Sequence, residues 1–255
     1  SRLGKYEELY GGALSGQNNA GGALANLGQR NREKGIQRLM AVNLLKRLES
    51  SVEAFRLTLD KLAATVDQAL DTIDSHGASV GDLSAALDDL EADDDYFDYG
   101  ATATVGSKVQ VDLDDIDLDE WRRDLENDQA SYRLLIEEMA KVTPPHDLKL
   151  TRLKERIQTK VDHPFNAGNR KILIFSAFTD TSDYLYRELA GSFADQGLQF
   201  GIVSGSGKQQ TTLGKGYGFQ QILTLFAPKS KQRDLTMPDE TSEIDILIGT
   251  DCISE

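Results

Sequence analysis

At 255 residues, 39% of them hydrophobic and 27% charged, the chain is long enough for one or two globular domains with a buried core. No apolar run approaches the roughly 18 residues of a membrane span. Ser1-Arg2-Leu3-Gly4-Lys5 lacks the apolar centre of a secretory signal, and the single Cys252 excludes an internal disulfide and a cysteine zinc site. The net charge of −14 is concentrated in one place: Asp82 to Asp128 holds 17 acidic residues against Lys108, Arg122 and Arg123. The remainder carries 25 of each sign, so an electropositive surface elsewhere is not excluded.

In chain order, residues 1–32 are expected to form a flexible amino-terminal segment, because residues 10–32 are rich in Gly, Asn, Ala and Gln and have little to bury. From Arg32 to Ile73 apolar residues recur every three or four positions (Ile36, Met40, Leu44, Leu48, Val52, Phe55, Leu59, Leu62, Val66, Leu70, Ile73). That stripe predicts one helix of about 40 residues, which needs a partner to cover it. The partner is expected after Asp117, where Asp117 and Glu120 fit a capping box and Trp121, Leu125, Leu134, Leu135, Ile136 and Met139 follow. Pro144 and Pro145 end that helix, and Leu150, Leu153, Ile157 and Val161 predict another before Pro164. Between the paired helices residues 82–117 form an acidic loop, whose like charges oppose dense packing. Residues 33–163 are therefore expected to be a helical arm or insertion built on a long antiparallel helical pair.

Residues 164–255 change to an α/β texture. Lys171-Ile-Leu-Ile-Phe-Ser176 has the continuous apolar run of a buried parallel strand. Asp180 to Gln196 is amphipathic, Phe200–Ser204 is a second strand, Phe219–Phe226 a short helix and Glu243–Gly249 a third strand. The alternation predicts a parallel sheet with right-handed crossovers.

Several chemistries are excluded by spacing. A phosphate loop ending at Gly207-Lys208 requires Gly at 202 and Ser or Thr at 209, where the chain has Ile202 and Gln209. One ending at Gly214-Lys215 finds Gln209 and Gly216. The dinucleotide fingerprint from Gly214 fails at Phe219. Asp115, Asp117, Asp119 and Glu126 mimic a calcium loop, but its obligatory Gly is Glu120 and its apolar position is Arg122. A capped, solvated helix start is the better reading. His76, His146 and His163 show no ligand spacing, and no Ser-His-Asp or Cys-His set is visible, so neither catalytic nor metal residues are assigned. Eight basic residues between Lys141 and Lys171 face Asp147, Glu155 and Asp162; they read as a solvated helix face or as the lining of a nucleic-acid track.

Three stretches occur in an order that carries a resemblance. Lys171 to Leu185 (KILIFSAFTDTSDYL) resembles motif IV of superfamily 2 helicases and Swi/Snf-type translocases, Gly201-Ile-Val-Ser-Gly-Ser206 the strand and loop that follow, and Asp245-Ile-Leu-Ile-Gly-Thr-Asp251 the start of motif V. Among those families the likeness is to bacterial RapA-type proteins. It covers residues 169–255, a third of the chain. It implies a truncated RecA-like second motor lobe, a partial helicase C-terminal lobe, after the helical arm. It further implies a cytoplasmic, ATP-dependent translocase of which this chain is an excised piece, inactive alone because phosphate loop and arginine fingers are missing. ATP and Mg²⁺ belong to the parent only; the implied partners are nucleic acid, DNA in the first instance, and the first RecA-like lobe, with no membrane. Ser176, Thr179, Gly205, Ser206 and Thr250 carry over as backbone contacts and Asp251 as a coupling residue to the nucleotide. The rival readings are a helical protein-interaction or regulatory module, and an unrelated α/β enzyme.

Overall fold

The computed structural model describes residues 38–74, 117–205, 209–214 and 216–250. The segment 1–32 expected to be flexible, residues 82–116 of the expected acidic loop, Ser206 and Asp251 lie outside them. The chain divides into two compact units. Of the described residues the first comprises 38–49, 55–74 and 117–139, and the second 50–54 and those from Ala140 to Thr250.

In the first unit residues 38–50 form helix α1, whose last residue, Ser50, counts with the second unit; Val52–Asp74 form α2. The single 40-residue helix expected from the apolar stripe is therefore two helices. Ser51 leaves the helix and its Oγ accepts from the Ala54 N–H at 3.0 Å, which caps α2. Phe55, Leu59, Leu62, Val66, Ala69 and Ile73 are buried along one stripe of α2. Helix α3, Leu118–Ala140, starts at Asp117, whose carboxylate accepts from the Glu120 N–H at 3.0 Å. Asp117 is thus a cap, as the capping-box reading required. Arg122 pairs with Asp74, whereas Gln129 and Arg133 reach Asp67, seven residues earlier on α2. Rising numbers on α3 meet falling numbers on α2, so the two run antiparallel. Trp121, Leu125, Tyr132, Ile136 and Met139 are half-buried; Leu134 and Leu135 are exposed.

The second unit is α/β. After a short 3-10 turn at Pro144–His146, helix α4 spans Leu148–Asp162. Strand β1 (Ile172–Phe175), helix α5 (Thr179–Ser192), β2 (Phe200–Val203), β3 (Gln209–Thr211), α6 (Phe219–Phe226), α7 (Arg233–Thr236) and β4 (Ile246–Gly249) follow. The sheet order is β1-β4-β2-β3, with β1, β4 and β2 parallel and β3 antiparallel to β2. The sheet is therefore mixed rather than purely parallel; polar Gln209-Gln210-Thr211 carries no strand signal in the sequence.

Alternation along the strands separates two cores. Ile172, Ile174, Phe200, Ile202, Ile246 and Ile248 face Leu150, Ile157, Tyr184 and Leu189 of α4 and α5. Val203 and Leu247 face Ile222 and Leu225 of α6 together with Ile244. Helices on both faces suit a parallel core. Gly201, in β2, faces the second core: a Cβ there would come within 2.9 Å of Ile244 Cδ1 and 3.1 Å of Ile222 Cγ2. β1 is the exception to the buried-strand expectation. It is an edge strand, with Leu173 42% and Phe175 54% exposed. Among the described residues no helix is long and apolar enough to cross a membrane.

Candidate nucleic-acid interface

Parallel strands in register deliver their following loops to one edge. Phe175, Gly249 and Val203 stand level across β1, β4 and β2, so Ser176, Thr250 and Ser204–Gly205 share the carboxyl edge. Backbone bonds knit that edge: the Ser176 N–H donates to Gly249 O at 3.0 Å and the Thr250 N–H to Val203 O at 3.3 Å. The Gly205 N–H donates to Thr250 Oγ1 at 3.1 Å. Of the expected contacts, Ser176, Thr179, Gly205 and Thr250 are thus brought to one edge, with Thr179 opening α5 just beyond Ser176.

Their side chains differ in availability. Ser176 is buried, donates through Oγ to Phe178 O at 3.1 Å and accepts from the Phe178 N–H at 3.2 Å, forming the turn that launches α5. Thr250 is buried and ties β4 to the loop after β2. These two hydroxyls shape loops. Thr179 is half-buried and Gly205 exposed, and α5 begins without a side-chain cap, so its first-turn N–H groups carry the partial positive charge of a helix start.

Two polar clusters escaped the sequence reading. Ser50 and Ser51 each lie 2.8 Å from Thr181 Oγ1 in the first turn of α5. The adjacent serines inside an otherwise regular stripe were the available signal. Asp147 is buried, caps α4 by accepting from the Leu150 N–H at 3.0 Å, and accepts from Tyr184 Oη at 3.0 Å. Burial first, then the Asp147 charge, pushes the Tyr184 phenol far above its usual range. The first cluster ties the first turn of α5 to Ser50 and Ser51, and the second ties α5 to the start of α4.

The strand-proximal cations of the basic stretch serve the opposite edge. Arg170 pairs with Asp245 at 3.3 Å and Lys171 Nζ with Glu243 at 2.7 Å, both before the strands begin. No group of three or more His, Cys, Asp or Glu is placed to hold a metal among the described residues. No protein family, no curated protein and no solved structure matches the chain.

Proposed function

We propose that the α/β unit follows a nucleic-acid backbone at the carboxyl edge of its sheet, as the tracking half of a two-lobed, ATP-driven translocase. One observation carries this reading: β1, β4 and β2 end level, bringing Ser176, Thr250 and Gly205 together beside the uncapped start of α5. Ligands of open parallel sheets sit at that edge, and a helix start favours phosphate. In the proposed division of labour Thr179 and Gly205 offer the contacts, while Ser176 and Thr250 hold their loops. Ser206 and Asp251 follow Gly205 and Thr250 directly in the sequence. ATP and Mg²⁺ would sit against a first lobe that supplies the phosphate loop, and the pure chain is expected not to hydrolyse ATP.

The test is titration of labelled single-stranded and duplex DNA, read by fluorescence anisotropy. Thr179→Glu places negative charge where a phosphate would bind and is expected to weaken affinity about tenfold. Gly205→Glu is expected to act in the same direction. Absence of DNA binding, or binding that neither substitution alters, would overturn the reading, as would ATP turnover by the pure chain.

A second reading has its own observation. Leu134 and Leu135 are 60% and 40% exposed on α3, which suits a helical unit that docks a protein. Leu134→Asp would weaken such docking and leave DNA affinity unchanged.

A further inference from the structure

Among the described residues strand β1 has one strand neighbour, β4. The Ile172 N–H donates to Asp245 O at 2.9 Å and the Ser176 N–H to Gly249 O at 3.0 Å. In a parallel ladder the alternate residues, Leu173 and Phe175, therefore turn their N–H and C=O groups away from β4. Among the described residues nothing pairs with them there. An apolar, unpaired parallel edge, even one of four residues, invites another strand.

An open groove of about 430 Å³ runs between this edge and α4. Leu153 and Ile157 give it an apolar wall; Arg156 and Lys160, four residues apart on α4, and Lys171 on the strand side give it positive charge. Among the described residues no carboxylate lines it. Among the described residues Arg156 has no ion-pair partner, and Lys160 Nζ rests 4.9 Å from the centre of the Phe165 ring, itself 92% exposed. Lys171 is already shared with Glu243.

We propose that the groove receives an extended acidic peptide of a partner protein, which adds as a further strand on β1. Its backbone pairs with Leu173 and Phe175; its carboxylates, on the face turned toward α4, meet Arg156 and Lys160, and its apolar side chains, on the other face, extend the exposed apolar strip of Leu173 and Phe175. Strand addition of this kind takes affinity from main-chain bonds and selectivity from the flanking side chains. Charge argues against a second copy of this chain as the occupant. Pairing β1 with another β1 would set Arg156, Lys160 and Lys171 against their own counterparts, whereas an acidic strand relieves the same cluster.

The probe is a labelled octapeptide alternating valine and glutamate, with a valine–lysine peptide as its counterpart, titrated into the full chain by fluorescence anisotropy. The acidic peptide is expected to bind at least about tenfold more tightly than the basic one. Arg156→Glu combined with Lys160→Glu, both on the solvated side of α4, is expected to remove that preference. Hydrogen exchange at the Leu173 and Phe175 amides is expected to slow about tenfold or more on binding. Equal binding of the two peptides, or unchanged exchange at those amides, overturns the proposal. Slow exchange there in the peptide-free monomer overturns it too, because the chain would then cover its own edge. Slow exchange that appears only with dimerisation assigns the groove to a second copy and likewise overturns it.

Discussion

Strand β4 and helix α3 are opposite solutions to keeping a segment in place. All four residues of β4 are buried, between neighbouring strands and beneath helices on both faces. Helix α3 has 23 residues and not one is buried. What links α3 to α2 in polar terms is a ladder of exposed contacts, Arg122 to Asp74 and Arg133 to Asp67. Burying a large aliphatic side chain is worth about 1.5–3 kcal/mol, an exposed ion pair about 0–1 kcal/mol. The three aliphatic side chains of β4, Ile246, Leu247 and Ile248, therefore hold more stability than the exposed pairs of that helix.

Shortening Ile248, which is fully buried in the core under α4 and α5, should break the strong side of this contrast. Ile248→Ala is expected to cost about 2–5 kcal/mol in urea denaturation of the α/β unit. Hydrogen exchange in α3 should stay as it was; if α3 loosened equally, the two regions would be one cooperative body. The next effect belongs to Asp147. Asp147→Ala removes the cap of α4 and leaves the buried Tyr184 phenol without its acceptor, for an expected loss of about 1–3 kcal/mol. Tyr184→Phe, which removes the other half of the bond, should cost less. A smaller loss from Asp147→Ala than from Tyr184→Phe would show that the cap contributes nothing.

The same contrast explains what the sequence made legible. Helix α6 forms over Phe219–Phe226, the expected bounds, and β4 falls within Glu243–Gly249, because both are written in local apolar pattern. The place of β1 at the edge was hidden, since Ile172–Phe175 is as apolar as a central strand and sheet order is set by partners distant in sequence. The break at Ser51 was hidden as well, because Leu48, Val52 and Phe55 keep helical spacing across it. The candidate edge was legible in outline: parallel strands must end together. Its chemistry was only half legible, because a serine or threonine after a strand serves a turn as readily as a ligand. Ser176 took the turn, and Thr250 took the neighbouring loop.

A more local effect is expected at Glu240. Its carboxylate accepts from Tyr217 Oη at 2.6 Å and from the Ser242 N–H at 2.8 Å, and these bonds, the phenol first, hold its pKa at about 2 instead of 4.5. A carboxyl that ionises more readily folded than unfolded stabilises the fold fully above its unfolded pKa. The support of this loop is therefore complete above pH about 4.5 and fades as the pH falls toward 2. Amide exchange at Ser242 across that window checks it; in Tyr217→Phe the fading should begin at higher pH, and an unchanged profile would remove Tyr217 from the account.

The smallest effect is predicted where the contacts look most numerous. Arg133 and Asp67 approach to 3.7 Å with side chains 62% and 50% exposed. Water screens such a pair, and ordering both side chains offsets most of the attraction. Arg133→Ala is thus expected to change the unfolding free energy of the helical unit by less than about 1 kcal/mol, and by nothing measurable in about 1 M salt. Trp121→Ala on the half-buried stripe should cost more than Arg133→Ala, since what little α3 buries lies there. If Arg133→Ala were the costlier of the two, the α2–α3 ladder would be acting as a coupled network, and α3 would be held by charge after all.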